Sequence, residues 1–171
     1  VPCDGELLYR GYDVTELVKG CIGNRYIFEE GAYLLLFGQL PTKEQLSEFE
    51  NVLYQCMTLP KNFTREVIMK ASSSDIMNSM TRSILTLASY DSQRDNLDLD
   101  NVLRQCLQLI GLFPMLAVYG YHAYNYYENM DSMVIHRPAP ALSTAENLLM
   151  MLRPNKKYTA TEAKVLDTAL I

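Results

Sequence analysis

Between Asn101 and Tyr127 the chain is apolar on almost every side, and a stretch of that kind leaves few folds open. Leu103, Leu107, Ile110, Ala117 and Tyr121 recur at three- and four-residue steps, the period of a helix, and apolar residues also fill the positions between them. A helix without a polar face belongs inside a bundle. Its longest unbroken apolar run, Leu109 to Tyr121, falls short of the roughly 18 residues of a membrane span, and Gln108 interrupts it on the N-terminal side. Pro114 stands mid-helix, where it removes an amide hydrogen and crowds the preceding turn, so a kink or a division into two helices is expected near Leu112 to Met115.

The rest of the chain is long enough to wrap that rod in one domain. It has 171 residues, 49% of them hydrophobic, and a chain of this size buries roughly 70% of the surface its unfolded form exposes. A net charge of -5 and no stripe of Lys or Arg argue against a nucleic-acid footprint. Cys3, Cys21, Cys56 and Cys106 fall singly, so reduced thiols and a cytoplasmic location are expected rather than a disulfide framework. The chain opens on Val1 and closes within an apolar helical pattern, Val165 to Ile171, with no terminating Gly, which leads us to expect a longer protein.

Capping signals divide the remainder into helices. Asp13 with Glu16, Thr42 with Gln45, Ser143 with Glu146 and Thr159 with Glu162 each place a capping side chain three residues before an acid or amide. Asp75 caps a further helix over Ile76 to Ser89, with Met77, Met80, Ile84, Leu87 and Ala88 as its apolar face. A helix over Tyr26 to Phe37 directs Phe28, Ala32, Leu35 and Leu36 inward and ends at Gly38; another, to Met57, buries Leu46, Phe49 and Leu53; a shorter one spans Thr64 to Ala71. Gly20 and Gly23 end the helix that Asp13 starts. Glu6 to Tyr12 reads as a brief strand or extended arm that needs a surface to lie on. The fold class expected is all-α: a multi-helix bundle around a buried, Pro-kinked central helix, with a short N-terminal extended arm.

No reaction centre emerges from the residue types. There is no C-x-x-C, no H-E-x-x-H and no phosphate-cradling glycine loop, so neither a metal nor a cofactor is expected. His122 falls at the polar end of the central helix, where an imidazole is ordinary. His136 and Arg137, adjacent in the Pro-rich loop before the Ser143 helix, are the substrate-binding candidates, because that pair could meet an anion. Glu29 and Glu30 open a helix whose dipole they favour, and Asp167 is placed on an exposed face. No catalytic residue is assigned.

Order and wording add a resemblance. Gly5-Glu6-Leu7-Leu8-Tyr9-Arg10-Gly11-Tyr12-Asp13-Val14 and then Phe28-Glu29-Glu30-Gly31-Ala32-Tyr33-Leu34-Leu35-Leu36-Phe37-Gly38-Gln39-Leu40-Pro41-Thr42 look like the N-terminal half of citrate synthase. Asp75-Ile76-Met77 resembles the family's His-Pro-Met segment, Leu112-Phe113-Pro114 its Leu-Pro-Thr kink, and Leu142-Ser143-Thr144-Ala145-Glu146-Asn147-Leu148 its Leu-Ser-x-Ala-x-Asn-Phe helix. Val165 to Ile171 resembles the helix end that leads into His-Ala-Glu-His. The resemblance spans nearly the whole chain, residues 1–171, in collinear order and implies the N-terminal part of the large domain of a homodimeric enzyme. That enzyme condenses acetyl-CoA, a substrate rather than a cofactor, with oxaloacetate. By the family's wording its catalytic His and Asp lie beyond Ile171, so the residues in hand are expected to be inactive alone. Ser72-Ser73-Ser74 replaces the usual His before the Met segment, and Thr144 or Glu146 stands where some relatives place a substrate-facing His. A 2-methylcitrate synthase and a non-catalytic helical interaction module are the alternatives.

Overall fold

The computed structural model describes residues 5–19 and 26–171. Helices make up nearly all of its regular structure: α1 (Val14–Lys19), α2 (Phe28–Phe37), α3 (Lys43–Cys56), α4 (Ile76–Leu87), α5 (Leu99–Glu128), α6 (Thr144–Leu152) and α7 (Ala160–Ala169). Three of the capping boxes form as read: Thr42 with Gln45, Ser143 with Glu146, and Thr159 with Glu162 satisfy each other's amides at the starts of α3, α6 and α7. The fourth forms by half. Asp13 accepts from the Thr15 amide at 2.7 Å, but the Glu16 carboxylate pairs with Lys19 at 2.7 Å. Gly20, Gly23, Cys3 and Cys21 lie outside the described residues.

The N-terminal arm is a small hairpin. β1 (Leu8–Tyr9) pairs antiparallel with β2 (Tyr12–Asp13), Tyr9 facing Tyr12, across a two-residue turn in which Arg10 and Gly11 have φ of 50° and 92°. Positive φ at both positions is what the twist of a tight hairpin demands. The surface it lies on is α2, where the Arg10 guanidinium donates to the Leu35 carbonyl at 2.9 and 3.1 Å.

The centre of the bundle is α5, which touches α3, α4 and α6. Over residues 111–123 it is buried on nearly all sides, with Leu112, Met115, Leu116, Val118, Tyr119 and Ala123 meeting Met57, Phe63, Ile68, Met80, Met150 and Met151. Gly111 lets α3 approach: a Cβ there would stand 2.9 Å from the Leu53 carbonyl oxygen. Pro114 does not divide the helix, which runs unbroken for 30 residues; neighbours on three sides hold the turns flanking the missing amide. By length and composition α5 could cross a membrane, with mean hydropathy 1.4 in its most apolar window, because polar residues interrupt the run without lowering the average enough. In this fold its middle is instead covered by protein.

Several inward faces differ from those the spacing suggests. In α4 the buried residues are Ser79, Met80 and Ser83, while Met77 is 71% and Leu85 70% exposed. Small residues are what α5 allows there, since Gly120 sits against Ser79. In α2 the buried residues are Glu29, Glu30, Gly31, Tyr33 and Leu34, with Leu35 exposed. In α5 Tyr121 and Phe113 face outward. The segment expected as a helix over Thr64 to Ala71 is a π-helical turn, Thr64–Ile68, closed by the Met69 amide on the Thr64 carbonyl at 2.9 Å. That five-residue repeat buries both Phe63 and Ile68.

Candidate functional site

His136 and Arg137 are neighbours in sequence and part company in space. The His136 Nε2–H donates to the Pro154 carbonyl at 3.1 Å, and its own carbonyl accepts from the Tyr119 hydroxyl at 2.7 Å. Arg137 instead lines a cavity of about 700 Å³ with Lys61, Arg65, Tyr54 and Tyr119. No carboxylate lines that cavity, although Arg65 pairs with nearby Glu66 at 2.8 Å. Its charge suits an anion; no carboxylate, imidazole or thiol lines it. Asn147 holds the loop that follows Pro138. Its side chain accepts from the Ala139 amide at 2.8 Å and donates to the Ala139 and Leu142 carbonyls at 3.1 and 3.0 Å, using both N–H donors and one lone pair of the oxygen.

The other site lies where α2, α6 and α7 meet, and it is built from acids. Glu29 is buried, and its Oε1 accepts from the Thr144 amide at 2.7 Å, so from the first turn of α2 it caps α6. Its Oε2 has no hydrogen-bond partner among the described residues. Burial pushes the Glu29 carboxyl above its usual range, against the pull of the Thr144 hydrogen bonds, and Asp167 adds to the rise. Asp167 is the larger departure from the sequence reading: it is 0% exposed. Its carboxylate accepts from the Ile27 amide at 2.7 Å and the Phe28 amide at 3.2 Å, where α2 begins and Ile27 has no side chain with which to cap it. Glu50 on α3 faces the same region and is pushed upward by burial, then by Glu29 and Glu30. Tyr26, in the cavity of about 250 Å³ beside Glu29, is pushed up to about 12, first by burial and then by its hydrogen bond to Glu146.

One sequence signal for Asp167 existed. An acid in the last turn of a helix opposes the helix's own dipole, which makes sense only if another element needs the charge. Glu29 carried no such signal, because at the start of α2 it looks locally favourable.

The remaining reactive groups are occupied or inert. His122 is buried, its Nε2–H directed at the Met151 carbonyl at 3.2 Å. Cys56 and Cys106 are free thiols, and burial raises Cys56 despite the opposing charge of Arg104. Among the described residues no group of three His, Cys, Asp or Glu could hold a metal ion.

With this geometry in hand, comparison with known proteins is decisive about kinship. The family profile described as citrate synthase, C-terminal domain, matches residues 2–171. The chain belongs to the citrate synthase family. It is 28% identical to a citrate synthase of Corynebacterium glutamicum, over 98% of this chain and 37% of that one. It is 29% identical to a 2-methylcitrate synthase of Shewanella oneidensis, over 96% of this chain and 40% of that one. A ternary complex of carboxymethyl coenzyme A and oxaloacetate with the citrate synthase of Thermoplasma acidophilum shares the fold, with a TM-score of 0.81 over 97% of this chain and 40% of that one at 23% identity. The chain thus spans about 40% of the length of these relatives.

Proposed function

We propose that the complete protein condenses acetyl-CoA with oxaloacetate and water to citrate and CoA, and that these residues form the N-terminal part of its large domain. The reaction needs a base to take a proton from the acetyl methyl group, donors for the enolate and ketone oxygens, and cations for the carboxylates. Neither histidine described here is poised for such work, since both Nε2 atoms are engaged with backbone carbonyls. The buried acids Glu29 and Asp167 serve helix amides. The helices therefore read as scaffold, and the proton-moving groups belong to the continuation after Ile171. The free thiols fit a cytoplasmic enzyme.

The profile match across residues 2–171 supports the reaction class, and the placement of these residues ahead of the catalytic groups rests on the order of their sequence motifs. Its test is release of free thiol from acetyl-CoA in the presence of oxaloacetate. The complete protein turns over, and residues 1–171 alone do not. Robust release by residues 1–171 would overturn the placement of the catalytic groups; silence from the complete protein would leave a helical interaction module. The likeness to a 2-methylcitrate synthase favours one second reading, in which propionyl-CoA is the preferred acyl donor. Parallel assays with both thioesters decide it by the ratio of their kcat/KM values.

We further propose that the protein forms a homodimer through outward apolar faces of α4 and α5. Met77 and Leu85 on α4, and Leu109 and Phe113 on α5, are exposed, and beside Phe113 lies an almost wholly apolar cavity of about 380 Å³ that reaches Phe28 and Leu170. Apolar faces of this kind are covered by protein, and the covering proposed here is a second copy rather than the remainder of the same chain.

A further inference from the structure

We infer that Tyr9 and Asp167 are positioning residues that fix where the chain following Ile171 begins. This rests on the proposed reading that the chemistry of the complete protein lies beyond that residue. Asp167 lies in the last turn of α7, and Ile171 is the second residue after that helix ends at Ala169. Asp167 is anchored by the Ile27 and Phe28 amides at 2.7 and 3.2 Å. The Ile171 carbonyl accepts from the Tyr9 hydroxyl of the hairpin, 162 residues earlier in the chain. The Ile171 side chain lies against Gly31, with its Cγ1 and Cδ1 3.9 Å from the place a Gly31 Cβ would occupy.

The end of α7 is thus clamped by β1 and α2 at two points, which sets both its rotation and its advance along the axis. The hairpin is held by Arg10 to the C-terminal end of α2, and Glu29 ties the start of α2 to α6, so the clamp is referred to the core. Nothing local in α7 would choose a buried carboxylate in its last turn, where the helix dipole disfavours it. A catalytic group delivered by the following residues inherits its placement from these contacts, and a displacement of about 1 Å in a reacting geometry costs on the order of 100-fold in rate.

The complete protein carrying Tyr9→Phe, which keeps the ring and removes only the hydroxyl, is compared with wild type; Asp167→Asn, which keeps one carbonyl acceptor, is the second variant. Two readouts are taken below the unfolding transition: amide hydrogen exchange, and kcat and KM for acetyl-CoA and oxaloacetate. Tyr9→Phe is expected to exchange faster at residues 167–171 and in the peptide after them, with α5 and α6 unchanged. Its kcat should fall at least tenfold while both KM values move less than twofold. Unchanged exchange at the end of α7 in both variants overturns the clamp whatever the activity. Faster exchange there with an unaltered kcat, in a wild type that turns over, overturns the positioning role. An inactive wild type instead sinks the proposed function, and the exchange result still decides the clamp.

Discussion

At the scale of single residues, the acids govern how this fold responds to pH, and they pull in opposite directions. Glu29 has a folded-state pKa raised by burial, so its contribution is fully present while it is protonated in both states, below the ordinary glutamate value of about 4.3, and is lost as pH rises through the raised value. Glu162 and Asp91 are each lowered to about 2, by Arg153 and Arg104 respectively. Their contribution is present above the unfolded values near 4 and is lost as pH falls toward 2. Urea midpoints measured across pH should therefore rise as pH climbs from about 2 toward the ordinary carboxylate values near 4 and decline once pH passes them. Glu29→Gln should make the decline at higher pH shallower, leaving the part due to Glu50, and keep the acid limb in place; Glu162→Gln should make the acid limb shallower, leaving the part due to Asp91, and keep the decline. A Glu29→Gln profile parallel to wild type on both limbs would show that the buried carboxylate does not titrate in this range. Asn147→Ala leaves the Ala139 amide and two carbonyls without their partner, and should cost about 2–4 kcal/mol in chemical denaturation.

At the scale of elements, local pattern located the helices and tertiary contact chose their faces. The Thr42, Ser143 and Thr159 boxes are complete within four residues, so the starts of α3, α6 and α7 were legible. The roll of α2 about its axis was not, since it turns on Glu29 reaching Thr144, 115 residues away. The two glycines of α5 separate these effects. In Gly111→Ala the new methyl meets backbone, 2.9 Å from the Leu53 oxygen, and should cost about 1–3 kcal/mol because α3 must move. In Gly120→Ala it meets the rotatable Ser79 hydroxyl at 3.3 Å, and the helix propensity of alanine, favourable by about 1 kcal/mol, offsets the crowding. Thermal midpoints of the pair check this ordering, and equal losses would contradict it.

At the scale of the whole molecule, the proposed homodimer rests on the outward apolar residues of α4 and α5. Phe113→Asp in the complete protein should shift its sedimentation toward monomer while far-ultraviolet circular dichroism keeps its helical signal, since Phe113 faces outward and its loss opens no core cavity. An unchanged dimer would place the interface elsewhere. Family membership at this scale was legible from wording rather than chemistry. Collinear segments from Gly5 to Ile171 pointed to the citrate synthase family, and the profile match over residues 2–171 agrees. Of the two substrate-binding candidates, Arg137 lines a basic cavity, whereas the His136 imidazole is held by Pro154, a separation that adjacent residues in a loop could not reveal.

By itself the sequence determined what short-range physics decides: that the chain is helical, where most helices start, and that the apolar stretch around Leu112 lies at the centre. Caps and periodicity act within a turn or two of the residues that encode them. Only the tertiary structure decided that Asp167 is buried, that Glu29 caps another helix, that Pro114 leaves α5 whole and that Met77 faces out. Each of those outcomes depends on a neighbour distant in the chain, which supplies or withholds the hydrogen bond or the packing surface that local preference alone cannot specify.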